Sequence, residues 1–171
     1  MGRERLQIRV VQGSILEIDV QAIVNAANSR GIMGGGVAGV IKRAAGPAVD
    51  EEAQRQAPIS VGSAVLTSGG RTRYQAIIHA PTMPEPAMRI DPQNVALATR
   101  AALALADARG FTSVAIPGMG TGVGGVAHGD AAAMMIKEIR AFVPLALKSV
   151  VLVDVDPAMV QAWRAALKEI K

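Results

Sequence analysis

Short β-branched runs alternate with stretches of helical periodicity along almost the whole chain, and that alternation constrains the fold more than any single motif. Leu6–Val11, Ala22–Asn25, Ser63–Leu66, Gln75–Ile78, Thr112–Ile116 and Ser149–Val153 read as strands bounded by small or turn-forming residues. Between them, Val37, Val40, Ile41, Ala44 and Ala45 recur at helical spacing and stop at Gly46-Pro47, which also opens a second helix over Ala48–Gln56. Asn94–Arg109, closed by Gly110, Asp130–Phe142 and Pro157–Ile170 complete the helices. Four prolines make Pro81–Pro92 an expected irregular segment. The order predicts an α/β fold: a three-layer α/β/α sandwich around a mixed, largely parallel central sheet. With 171 residues, no repeat and no linker, the expectation is one domain over 1–171.

Composition narrows the function classes. Apolar types make up 50% of the chain and charged types 19%, so a large core is available and global disorder is excluded. Tyr74, Phe111, Phe142 and Trp163 are the only aromatics, so the core is aliphatic and a ligand site has few rings to stack on. The net charge of +4 is scattered, with no basic run and no aromatics among the charges, which argues against nucleic acid bound through a basic patch. The absence of cysteine excludes disulfides, cysteine nucleophiles and thiolate metal sites. Met1-Gly2-Arg3-Glu4-Arg5 leads directly into a strand pattern without an apolar leader, so a soluble cytoplasmic protein is expected.

In open sheets of this kind the ligand crevice lies beyond the carboxyl ends of the strands, here the residues after Val11, Val24, Ile116 and Val153. Asn25-Ala26-Ala27-Asn28-Ser29 follows the second strand, and Gly34-Gly35-Gly36 opens a helix. A glycine run at a helix N-terminus lets a phosphate approach backbone amides that lack intrahelical partners. Gly118-Met119-Gly120-Thr121-Gly122-Val123-Gly124-Gly125 is a second possible cradle of amides. Either run alone is as compatible with tight packing. The second matches neither the dinucleotide fingerprint nor the phosphate-loop motif, since no Lys-Ser or Lys-Thr follows its glycines. Together, two such loops suit a diphosphate gripped from both sides. Asn28 beside the first is either a turn residue or a hydrogen-bonding group for a ribose hydroxyl.

Val24-Asn25-Ala26-Ala27-Asn28-Ser29 followed by Gly34-Gly35-Gly36-Val37-Ala38 resembles the signature of macrodomains, which bind ADP-ribose and its derivatives. The resemblance extends to Val11-Gln12-Gly13-Ser14-Ile15, to Ile77-Ile78-His79 and to Gly120-Thr121-Gly122-Val123-Gly124-Gly125. It implies that Asn28 contacts the distal ribose and that Gly34, Gly35, Gly36 and Val37 lie along the ribose and diphosphate. Gly120, Thr121, Gly122, Val123 and Gly124 would form the opposing diphosphate loop. Ile15 would border the adenine, Val155 would take the position from which members pack a side chain on that ring, and Asn25 would brace the loop from within. The partner implied is ADP-ribose or an ADP-ribosylated protein, with no cofactor, metal or membrane.

Departures from the family pattern bear on catalysis. The aspartate that reads the adenine amino group in many macrodomains is Ser14, with Asp154 or Asp156 as substitutes. The aspartate after Gly-Gly-Gly-Val in the hydrolase branch is Ala38, the histidine before the glycines in another branch is Met33, and the lysine of a third falls nearest Met83. Without these groups no acid or base is evident, and binding is the leading expectation. The alternatives are an ADP-ribosyl hydrolase or O-acetyl-ADP-ribose deacetylase using a water positioned near Asn28, and a binder of another phosphorylated nucleotide or metabolite. His79, at the end of an apolar strand, reads as packed and structural, and His128 as a surface or capping residue. Rings commonly line the ribose and adenine ends of macrodomain clefts, but the matching positions are Gly124, Val126 and Val155. The expectation is an open ribose end and a ligand held by backbone amides.

Overall fold

The computed structural model describes residues 5–85, 88–122 and 124–169. Among them are six strands and five α-helices. The strands are β1 (Gln7–Gln12), β2 (Ala22–Asn28), β3 (Val65–Ser68), β4 (Ala76–Met83), β5 (Ser113–Ile116) and β6 (Ser149–Asp154). The helices are α1 (Gly36–Ala45), α2 (Pro47–Arg55), α3 (Gln93–Ala108), α4 (His128–Ala141) and α5 (Pro157–Glu169). A 3₁₀ turn, Ile15–Glu17, follows β1 and lacks any signal in hydrophobic periodicity.

The strands form one sheet in the order β1-β6-β5-β2-β4-β3. All neighbours are parallel except β3, which runs antiparallel to β4 at the edge. Side-chain alternation divides the core in two. Val24, Ile78, Val114, Ile116, Val150 and Leu152 face a layer of α3, α4 and α5 that buries Leu103, Met135, Ile136 and Trp163. Ile23, Ile77, Ala115, Val151 and Val153 face α1, α2 and the 3₁₀ turn through Ile15, Ala38, Ile41 and Val49. These faces make the three-layer sandwich, with an aliphatic core in which Trp163 and Tyr74 are the buried rings.

The proline count misplaces one boundary. β4 continues through Pro81 to Met83, where an irregular segment is expected. Its last β3 partner is His79, so Pro81 lies where one edge of β4 has no neighbouring strand and a missing donor is tolerated. The β2–β4 register then shifts between Ala27 and Asn28, whose partners are Pro81 and Met83. Asn94 Nδ2 donates to the Thr82 carbonyl left over at this irregularity (2.9 Å). The extra residue, Thr82, lies on β4, while Asn28 stays paired with Met83 at the end of β2.

Candidate functional site

β1, β6, β5 and β2 are parallel neighbours, so the segments after Gln12, Asp154, Ile116 and Asn28 leave the same edge of the sheet side by side. The first glycine loop is built around Asn28. Its side-chain oxygen accepts from the amides of Arg30 (3.0 Å) and Ile32 (3.3 Å), while Nδ2 donates to the Ile32 carbonyl (2.9 Å). The side chain therefore shapes the turn that delivers Gly34, and one Nδ2 hydrogen has no acceptor among the described residues.

Beyond that turn, Met33 is buried and its amide donates to Asp50 Oδ1 (2.9 Å) from α2, while Lys42 of α1 reaches Asp50 Oδ2 (2.9 Å). Burial alone would raise the Asp50 pKa, but hydrogen bonds from Lys42, the Met33 amide and Gln54 outweigh it and hold the carboxyl below its ordinary value. Asp50 is thus an ionised brace that fixes the entry to the glycine run. Gly36 has φ +61°, a conformation that disfavours any side chain, and methyl groups built on Gly34, Gly35 or Gly36 would meet only open space. Behind them Gly39 lets the loop pack on α1, since a methyl there would stand 2.7 Å from the Gly34 carbonyl oxygen. The amides of Gly34 to Ala38 have no acceptor among the described residues.

The second loop is tied at both ends. Gly118 donates to Asp154 Oδ2 (3.0 Å), Val126 to the Gly120 carbonyl (3.0 Å), Gly125 to the Gly122 carbonyl (3.1 Å), and Ile90 to the Gly124 carbonyl (3.0 Å). Inward carbonyls are consumed in this way, while the amides of Thr121, Gly122 and Gly124 have no acceptor among the described residues. Val123, also expected in this loop, lies outside the described residues. Two sets of amides without acceptors among the described residues thus follow the adjacent strands β2 and β5, an arrangement whose donors suit an anion.

At the other end of the crevice, Ser14 Oγ caps the 3₁₀ turn by accepting from the Leu16 amide (3.2 Å). The buried Tyr74 hydroxyl lies 2.9 Å from the Ile15 carbonyl and 2.7 Å from that of Ile18, which holds the turn against the sheet and buries Ile15. Val155 is 69% exposed just past β6, an apolar surface without a partner. Both aspartates beside it already accept hydrogen bonds within the protein. Asp154 accepts from Gly118 and from the Asp156 amide, and Asp156 from the Ala158 amide and His128 Nε2 (2.9 Å). His128 begins α4 and pairs with Asp156 across the crevice wall.

Asn25 does not brace the glycine loop. Its side chain is buried and Nδ2 lies 3.1 Å from His79 Nδ1, whose Nε2 is 2.9 Å from Thr67 Oγ1. Thr67 Oγ1 also lies 3.0 Å from the Ser68 carbonyl, so both ring nitrogens of His79 have a polar neighbour within hydrogen-bond distance. Burial lowers its pKa to about 4, opposed weakly by Glu52 and Asp50. It is a neutral structural residue within a chain crossing β2, β4 and β3. Met33, Ala38 and Met83, at the positions where macrodomain branches carry catalytic groups, are all buried and apolar. Sequence reasoning overlooked Asp50 and Tyr74; the Pro47-to-Arg55 helix start offered Asp50 only as a first-turn acid.

An α/β/α domain with paired amide loops at the carboxyl edge of its sheet is the class that geometry defines. The Macro domain family profile matches residues 24–135, and the chain belongs to that family. It is 57% identical over 162 residues to a protein of Aquifex aeolicus, covering 95% of this chain and 98% of that one. It is 38% identical over 144 residues to a Salmonella gallinarum protein named O-acetyl-ADP-ribose deacetylase, covering 80% and 79%. Among solved structures it is similar to a mutant of the Oceanobacillus iheyensis macrodomain with ADPR, with a TM-score of 0.87, 25% identity, and 99% and 96% of the two chains covered. Among the described residues no helix is long and apolar enough to cross a membrane.

Proposed function

We infer that this chain is a single macrodomain that binds ADP-ribose and ADP-ribosylated protein in the cytoplasm. The observation that carries this reading is the pair of unpartnered amide sets, Gly34–Ala38 and Thr121, Gly122 and Gly124, on neighbouring strand ends. The diphosphate sits between Gly34, Gly35, Gly36 and Val37 on one side and Gly120 to Gly124, Val123 included, on the other. Amide donors and the α1 dipole stabilise its charge. Asn28 offers its remaining Nδ2 hydrogen to the distal ribose. Ile15 and Val155 enclose the adenine by aliphatic contact, and Ser14 keeps a hydroxyl proton and a lone pair for its edge. Calorimetry with ADP-ribose tests this. Saturable heat and a raised melting temperature are expected, whereas no heat at high micromolar ligand with an unchanged melting temperature overturns it.

The likeness to the Salmonella deacetylase favours a second reading, hydrolysis of O-acetyl-ADP-ribose or a protein-linked ADP-ribose. Buried Met33, Ala38 and Met83 offer no proton-transferring group, so such turnover would rest on a water held near Asn28. Turnover that Asn28→Ala abolishes supports the enzyme; binding without turnover supports the reader. Competition by AMP or a sugar phosphate as effective as that of ADP-ribose would favour a different phosphorylated ligand.

A further inference from the structure

On either side of residues 86 and 87, the described residues between β4 and α3 contact the two loop regions. At one end Ser29 donates to the Met83 carbonyl (2.9 Å) and Arg30 pairs with Glu85 (3.1 Å), which ties that end to the first loop. At the other, Ile90 is bonded to Gly124 (3.0 Å) in the second loop. Next to Ile90, the guanidinium of Arg89 occupies the side-chain direction of Gly125, where a methyl group would stand 2.8 Å from Nε and 3.0 Å from Nη2. Gly125 has φ +73° and no side chain, and that space belongs to Arg89. A side chain on Gly124 is excluded too, because it would fall 2.6 Å from the Gly120 carbonyl oxygen.

Beside the first loop Arg30 pairs with Glu85 and Lys42 with Asp50, while Arg43, whose Nη1 would stand 3.3 Å from a methyl on Gly39, lies behind the loop on α1. Arg89 is exposed and has no carboxylate partner among the described residues. It borders the loop that presents the Thr121, Gly122 and Gly124 amides, which donate hydrogen bonds but bring no net charge to a doubly anionic diphosphate. We propose that Arg89 is a specificity-determining residue of this cleft, contacting the ligand's diphosphate from the second glycine loop and walling the ribose end that glycines 124 and 125 leave without a ring. The proposal rests on the ADP-ribose reading above.

Arg89→Ala, Arg89→Lys and Gly125→Ala, titrated with ADP-ribose at low and high salt by calorimetry, test it. Loss of a charge-assisted phosphate contact predicts about 10- to 100-fold weaker binding for Arg89→Ala, with a flatter salt dependence. Arg89→Lys keeps the salt dependence and recovers part of the affinity, and Gly125→Ala, which displaces the guanidinium and is also strained at φ +73°, loses at least as much affinity as Arg89→Ala. The melting temperature of unliganded Arg89→Ala stays that of the wild type, because the side chain is exposed. Wild-type binding with Arg89→Ala affinity unchanged within about twofold, or weakened with an unaltered salt slope, overturns the role of Arg89 alone. A wild type that does not bind ADP-ribose overturns the ligand reading instead.

Discussion

Replacing Asp50 with alanine should destabilise the protein by about 2–3 kcal/mol and weaken ADP-ribose binding, although Asp50 touches no ligand. The larger contribution comes from the Met33 amide, buried with its donor and left without an acceptor, a loss of about 1–3 kcal/mol. Lys42 adds less than about 1 kcal/mol, because its side chain is 41% exposed and water replaces the lost carboxylate. For a domain of this size that corresponds to a fall in melting temperature of about 4–12 °C. Asp50→Asn keeps an oxygen for Met33 and should cost under about 1 kcal/mol. Because the folded-state pKa is lowered, the stabilisation is fully present above the ordinary value of 3.8 and is lost as pH falls through the lower folded value. Thermal denaturation and calorimetry on both variants provide the assay. Equal losses in Asp50→Asn and Asp50→Ala, or a loss below about 1 kcal/mol in Asp50→Ala, would refute the assignment of the brace to the Met33 hydrogen bond.

Burial holds the His79 pKa near 4 against an ordinary 6.5, so stability is full above pH 6.5 and declines by about 3 kcal/mol as pH falls to 4. A denaturant series across that range checks it, and a flat profile contradicts the neutral, buried histidine. Gly39→Ala raises helix propensity by up to about 1 kcal/mol, yet its methyl would press on the Gly34 carbonyl 2.7 Å away. Weaker ADP-ribose binding is therefore expected from a substitution that propensity alone would favour, and unchanged affinity would show that the first loop yields without consequence.

Periodicity made the layered architecture readable because each strand is a short apolar run and each helix carries one apolar stripe. It failed where side-chain hydrogen bonds decide the backbone. The 3₁₀ turn after β1 exists because Ser14 caps it and Tyr74, far away in sequence, holds its carbonyls, and neither contact leaves a periodic trace. The same holds for Asp50, which looks like any first-turn acid until α2 is folded against Met33. Pro81 gave a misleading signal, since the rule against proline in strands assumes neighbours on both edges and β3 stops short of it. The glycine loops were readable because glycine is the residue that a positive φ or a close backbone approach demands, as Gly36 and Gly39 respectively illustrate. Asn28 ends β2 beside the first glycine loop, as the sequence order implies, but its part in holding the turn depends on the Arg30 and Ile32 amides. Arg89, whose guanidinium stands where a side chain on Gly125 would go, carries no signal in the sequence, because only the fold brings it to the second loop.

The most direct test of a diphosphate held between two amide cradles is an amide-resolved NMR titration with ADP-ribose. The largest shifts are predicted for the amide protons of Gly34 to Ala38 and of Thr121, Gly122 and Gly124, moving together with a single dissociation constant. Shifts confined to one loop, or to residues away from both, would contradict the account.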